Sequence, residues 1–231
     1  LVLEPGWFGP MFDLLRSHPD AGLVGNVQLH AASGELDHAG VTFDAKGKPS
    51  HDLARPLLAR LRGWREVPAV TGACFGVHRK VWEKLGGFDD GFRNGGEDID
   101  LCLRARSAGL RTLVSLRSVV RHHVSASAGR KLRDEQNSRR LAQRWRREIA
   151  PLSVRAWSSQ YLASVWHGDI DPPDVRLVME ALGVMLGLFT STSRTLAGVE
   201  AALAVEFARW EQLLDGAAAP PEPVCGRPAQ L

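Results

Sequence analysis

The sequence predicts an α/β fold, and three observations carry the prediction. Apolar residues come in short blocks with Gly at or near their ends, as in Ala21, Leu23, Val24, Val27 and Leu29 and again over 70–77, which is the pattern of buried strands. Between these blocks lie segments whose bulky residues recur at steps of three and four, as one face of a helix requires. The joints carry Gly, Asp and Pro, which set the backbone angles of turns and caps. With 231 residues, 44% of them hydrophobic and 24% charged, the chain has the composition of an ordinary globular protein. It is long enough for one good core and a small helical appendage.

Taken in order, residues 1–7 read as the end of a strand and a turn through Pro5 and Gly6, and 8–17 as a short helix carrying Met11, Phe12, Leu14 and Leu15. Residues 21–29 form a strand, and 33–43 a turn and a further strand, together a hairpin. His38 and His51 fall in polar, loop-like surroundings and read as solvated loop residues, with recognition of a ligand as the alternative for each. Residues 52–66, Arg-rich with scattered Leu, make a surface excursion with room for a short helix. The core resumes at Val67. The strand over 70–77 then offers the small residues Thr71, Gly72 and Ala73, which let a ligand approach the backbone closely. A helix over 79–85 closes on Gly86 and Gly87, and Asp89 and Asp90 form the following turn.

Residues 94–104 are the centre of the chain. Glu97, Asp98 and Asp100 follow Gly95 and Gly96 and open a helix that carries Ile99, Leu101 and Leu103. Carboxylates suit a helix N-terminus, where unpaired N–H groups and the macrodipole favour negative charge. The same arrangement can deliver one carboxylate into a cleft as a general base. After this helix, 109–114 and 118–123 read as strand, ending at His122 and His123, whose side chains point opposite ways. Residues 128–148 are strongly basic, with Arg130, Lys131, Arg133, Arg139, Arg140, Arg144, Arg146 and Arg147. A solvated helix face, contact with phosphates near Ser127, and attraction of the later arginines to an anionic membrane surface all remain open.

Pro151 marks a break, and 151–216 reads as a separate helical appendage. Asp171, Pro172, Pro173 and Asp174 start one helix. Leu196, Val199, Leu203, Phe207, Trp210 and Leu214 form the apolar stripe of another, which makes a hairpin suited to packing on the core or mediating oligomerisation. The tail over 217–231, rich in Ala and Pro, reads as disordered. No apolar run reaches the roughly 18 residues of a membrane-spanning helix. Cys74, Cys102 and Cys225 lack metal-type spacing and read as free thiols of a reducing, cytoplasmic compartment. A net charge of +3 with no aromatic-basic platform points away from nucleic acid.

In this order, the segments at 70–77, 79–89, 94–104 and 119–127 resemble the acceptor half of a family 2 glycosyltransferase. That is the inverting, nucleotide-sugar-dependent type with a GT-A, Rossmann-like fold, and the likeness is strongest to its rhamnosyltransferase-like members; it covers about the first 145 residues. The resemblance implies transfer of a hexosyl or deoxyhexosyl group from a nucleotide-sugar donor to a glycan, lipid-linked or protein-linked acceptor. The products would be bacterial cell-envelope polysaccharides, glycolipids or glycoproteins, made at the inner face of the cell membrane. It implies that residues 1–150 bear the catalytic base and the acceptor site, and that the Asp-x-Asp motif and the donor-binding half lie before Leu1, so that this stretch alone is inactive. By position, Asp98 matches the base, with Glu97 orienting it; Thr71, Gly72, Gly96 and Asp100 match acceptor contacts, and Ser127, Arg130 and Lys131 donor contacts. His122 matches a ligand of Mg²⁺ or Mn²⁺, with His123 as the alternative, and Arg121 stands where an aromatic is more usual. The competing expectation is a non-catalytic half-domain that serves binding or assembly.

Overall fold

The computed structural model describes residues 1–92, 95–123 and 130–215. The chain enters through β1 (Val2–Leu3), α1 (Phe8–Ser17) and the long strand β2 (Ala21–His30). Three short strands follow, β3 (Leu36–His38), β4 (Val41–Phe43) and β5 (Pro49–His51), then α2 (Leu57–Arg62) and β6 (Trp64–Glu66). Next come β7 (Phe75–Val77), α3 (Arg79–Leu85), α4 (Glu97–Ser107) and a second long strand, β8 (Arg111–His122). Helices α5 (Arg130–His167), α6 (Val175–Leu186) and α7 (Ser193–Trp210) complete the fold, with a π-helical turn over Glu211–Asp215.

The spine is the parallel pair β2 and β8, joined by the crossover that contains α3 and α4. Each long strand is edged by two short antiparallel ones, β8 by β1 and β6, and β2 by β7 and β3. Strand alternation divides the core between the two faces of this mixed sheet. Leu23 and Val114 face a cluster with Phe43, Val70, Phe92, Leu101 and Leu103, whereas Val24 and Leu113 face Met11, Leu14 and Leu15 of α1. Helix α4 thus lies on one face and α1 on the other. Leu101 and Leu103, on opposite sides of α4, are both fully buried, which holds the start of the helix in a fixed place.

Helices α1 and α3 stand where the sequence puts them, and α3 ends on Gly86 at φ 80°, the left-handed cap that its glycine pair predicts. Elsewhere the structure differs. Only residues 75–77 of the expected 70–77 strand pair with β2; residues 72 and 73 form a turn, because the Gly72 N–H is directed at a carboxylate rather than at a neighbouring strand. The two expected strands over 109–114 and 118–123 are one, β8 over Arg111–His122, irregular over 116–118, where Leu116 N bonds the Gly63 carbonyl instead of β2. The helix runs through Pro151, and the break comes at Trp145 (φ −119°, ψ 23°), whose indole turns inward to a buried acid. His38 is buried on β3, since β3 pairs with β2 and carries it inside.

Helices α6 and α7 pack on α5 around Ala150, Val154, Val184, Val199, Leu203 and Trp210. Asp174 caps α6 by accepting from Arg176 and Leu177 N–H, and Thr192 caps α7 in a reciprocal bond with Thr195. Among the described residues no helix is long and apolar enough to cross a membrane. Cys74 and Cys102 are free thiols; Cys225 and the tail over 217–231 lie outside the described residues.

Candidate active site

Helix α4 begins at Gly96, whose φ of 92° admits few residues besides glycine. A side chain there would also meet the Phe92 ring at 3.0 Å. The three acids of its first turn take three different roles. Glu97 turns back, and its Oε2 accepts the Gly95 N–H at 2.9 Å. Asp98 reaches across to the turn before β7: its Oδ2 accepts the Gly72 N–H at 2.6 Å, and its Oδ1 accepts the Ile99 N–H at 2.8 Å. Asp100 points into the protein.

Asp100 corrects an expectation. The resemblance makes it an acceptor contact, yet it is fully buried, with Oδ2 accepting from Arg104 Nε at 2.8 Å and Oδ1 from Trp145 Nε1 at 2.8 Å. Arg144 adds a nitrogen 3.2 Å from Oδ1. Arg104 also donates to the carbonyls of Leu85 and Gly87. Asp100 therefore ties α4 to the end of α3 and to the kink of α5, and its carboxylate is not available to a substrate.

Asp98 faces a cleft of about 310 Å³ whose lining includes Thr71, Gly96, Ser50, His51 and Glu135. Burial raises its carboxyl above the ordinary carboxylate value, the Glu97 charge adds to this, and the two backbone donors oppose it. An elevated carboxyl next to open space suits proton acceptance, since basicity rises with pKa. Of the residues expected at the acceptor site, Thr71 and Gly96 line this cleft with Asp98, and Gly72 supports it from behind through its N–H.

His122 lies in another cavity, about 400 Å³, with His30, Ser33, Glu35 and His123. Its Nδ1 is 3.3 Å from Oδ2 of Asp37, a buried carboxylate that also has His51 Nδ1 at 3.4 Å and His30 Nε2 at 3.7 Å. Burial opposes ionisation of Asp37, and these imidazoles, with the His122 hydrogen bond first, outweigh it and lower its carboxyl. His38, beside His51, is pushed down to about 4 by burial first and by His51 second. It is therefore neutral, with Nδ1 accepting the Gly40 N–H at 3.1 Å. Asp37 was not singled out in the sequence, where nothing in its spacing links it to three histidines. It joins the two cavities, because His51 lines the first and His122 the second.

Among the described residues no group of three or more His, Cys, Asp or Glu could hold a metal ion. His122 shares one feature with metal-binding imidazoles, a carboxylate beside Nδ1 that fixes the ring and leaves Nε2 to a ligand, and His51 has the same carboxylate beside its Nδ1. Ser127 lies outside the described residues; Arg130 and Lys131 begin α5, and their side chains lie outside them too. The later arginines are largely engaged. Arg140 and Arg144 pair with Asp89, and Arg146 with Glu200. Arg121 pairs with Glu4 across β1 and β8, at 2.6 Å.

Comparison with known proteins bears on the family and the fold. Residues 1–147 match the model of a family described as glycosyltransferase like family 2. Over 169 residues the chain is 31% identical to the uncharacterized protein y4gI of Sinorhizobium fredii, covering 70% of this chain and 18% of that protein. Over 133 residues it is 33% identical to the O-antigen biosynthesis protein RfbC of Myxococcus xanthus, covering 54% of this chain and 10% of RfbC. The chain thus spans less than a fifth of either relative. Among solved structures, GalNAc-T7 with UDP, GalNAc and Mn²⁺ superposes with a TM-score of 0.51 at 18% identity, over 68% of this chain and 34% of that one. At that identity the likeness concerns the fold, a mixed sheet with flanking helices of the GT-A kind.

Proposed function

The chain belongs to glycosyltransferase family 2, and from that premise we propose that residues 1–150 form the acceptor side of an inverting sugar transfer in which Asp98 is the general base. The observation that carries the proposal is the Asp98 carboxylate: it opens on a cleft, is oriented by the Gly72 and Ile99 N–H groups, and is raised in pKa by burial. The acceptor hydroxyl would lie among Thr71, Gly96 and Asp98. Its proton passes to a carboxylate oxygen as the hydroxyl oxygen bonds to the anomeric carbon of the donor, whose bond to the nucleoside diphosphate breaks with the electron pair leaving on the diphosphate oxygen. Glu97, bonded to Gly95, keeps the glycine turn in shape and its negative charge close to Asp98, and nearby negative charge also favours an oxocarbenium-like transition state.

The donor is a nucleotide-sugar, and the acceptor a hydroxyl of a glycan or lipid-linked glycan in bacterial envelope polysaccharide synthesis; RfbC, named for O-antigen biosynthesis, supports that direction. His122 is the residue we assign to Mg²⁺ or Mn²⁺, whose charge would offset that of the leaving diphosphate. The register of β1 on β8 pairs Val2 with Arg121, which brings Leu1 level with His122. Residues 151–216 serve as a helical appendage to this unit. The test is transfer from radiolabelled nucleotide-sugars by the longest protein that contains this chain, with Asp98→Asn beside the wild type. Loss of transfer with retained nucleotide affinity supports the assignment, and equal activity removes it.

A further inference from the structure

Helix α2 holds a surface that the transfer reaction does not use. Leu53, Leu57, Leu58 and Leu61 are 56%, 68%, 69% and 69% exposed, and no residue of α2 is buried. At about 100° per residue, Leu57, Leu61 and Leu58 cover an arc of about 100°, with Arg60 and Arg62 about 60° and 40° outside its two edges. Only Ala59, on the opposite side, is partly covered. Arg55 precedes the helix, residues 53–63 contain no acid, and among the described residues Arg55, Arg60 and Arg62 have no ion-pair partner.

The segment is held in this pose from both ends. Arg65 binds the Ala54 carbonyl and the Asp52 carboxylate on one side. On the other, Gly63 caps the helix at φ 81° against the Arg117 side chain, where a Cβ would clash with the guanidinium. The leucines therefore point outward on a fixed scaffold. Fixed apolar side chains flanked by unpaired guanidinium groups match the anionic surface of a lipid bilayer, where the leucines enter the acyl boundary and the arginines reach the phosphates.

We propose that the segment 53–62 is a membrane-docking element that binds anionic lipid surfaces. It leaves β5 two residues after His51, which lines the Asp98 cleft, so docking would bring that cleft close to the bilayer. The proposal stands apart from the transferase reading, because lipid binding is measured without turnover.

The test is co-sedimentation of the full chain with vesicles of phosphatidylcholine alone or mixed equally with phosphatidylglycerol. We expect binding to the anionic vesicles only, weakening with added salt. At about fivefold per arginine, Arg55→Ala, Arg60→Ala and Arg62→Ala together should weaken it on the order of a hundredfold. Leu57→Ser, Leu58→Ser and Leu61→Ser together should remove it while circular dichroism stays unchanged. Absence of binding by the wild type, or equal binding by both variants, overturns the proposal. A leucine variant that changes only the oligomeric state in sedimentation overturns it too, and makes the face a protein interface.

Discussion

Replacing Asp100 by Asn tests the division of labour among the three acids of α4. Both Asp100 oxygens act as acceptors, Oδ2 for Arg104 Nε and Oδ1 for Trp145 Nε1. An amide has one oxygen, so whichever way it turns, its NH₂ confronts an N–H donor. Breaking a buried ion pair in this way costs about 3–5 kcal/mol. Two features favour the lower end of that range: Arg104 keeps the Leu85 and Gly87 carbonyls, and Arg144, 41% exposed, contributes little. We therefore expect about 3 kcal/mol, and at about 2–4 °C per kcal/mol for a chain of this size the melting temperature should fall by about 6–12 °C. Thermal unfolding followed by circular dichroism measures it. Trp145→Phe, which removes one donor but leaves the charge pair with Arg104, should cost less, about 1–2 kcal/mol. If Asp100→Asn melts within about 1 °C of the wild type, the carboxylate is not the tie described here.

Gly96→Ala forces a side chain into φ 92° and against the Phe92 ring, and should cost about 1–3 kcal/mol in urea unfolding. The Asp98 carboxyl is raised in the folded protein, so its contribution to stability is full below the unfolded value, near 3.8, and is lost as pH rises through the folded value. Asp98→Asn should therefore gain stability relative to the wild type from acid to neutral pH in a melting series; a constant difference across the series contradicts the buried carboxyl. Glu135 runs the opposite way. Burial opposes its ionisation, but donors from Lys48, Trp210 and Arg209 lower its carboxyl below the ordinary 4.5, so its contribution is present above that value and lost as pH falls through the folded one. Glu135→Gln should flatten the acid limb of the same series.

The local elements were legible because their signals are local. The apolar spacing of α1, the glycine pair after α3 and the Asp174 cap of α6 all act within a few residues. The Asp98 cleft was legible as well: the Gly-Gly-acid order predicts a carboxylate at a helix start, and Thr71 and Gly96 do lie beside it. What failed depended on partners distant in sequence. The Gly72 N–H leaves the strand pattern because a carboxylate 26 residues away accepts it. His38 is buried because β3 is paired, not because of its neighbours in sequence. Asp100 did carry one overlooked signal, Arg104 four residues on, the spacing of a helical ion pair. Asp37 carried none, since its three histidines come from positions 30, 51 and 122.

The central claim is that Asp98 takes the acceptor proton. The direct measurement is the rate of sugar transfer by the longest protein containing this chain, with Asp98→Asn beside the wild type at saturating donor. A positioned base contributes about a hundred- to ten-thousandfold, so the account predicts a fall of that size in kcat, with donor affinity and folding retained. A variant that keeps the wild-type kcat would contradict it and return Asp98 to the role of a helix cap.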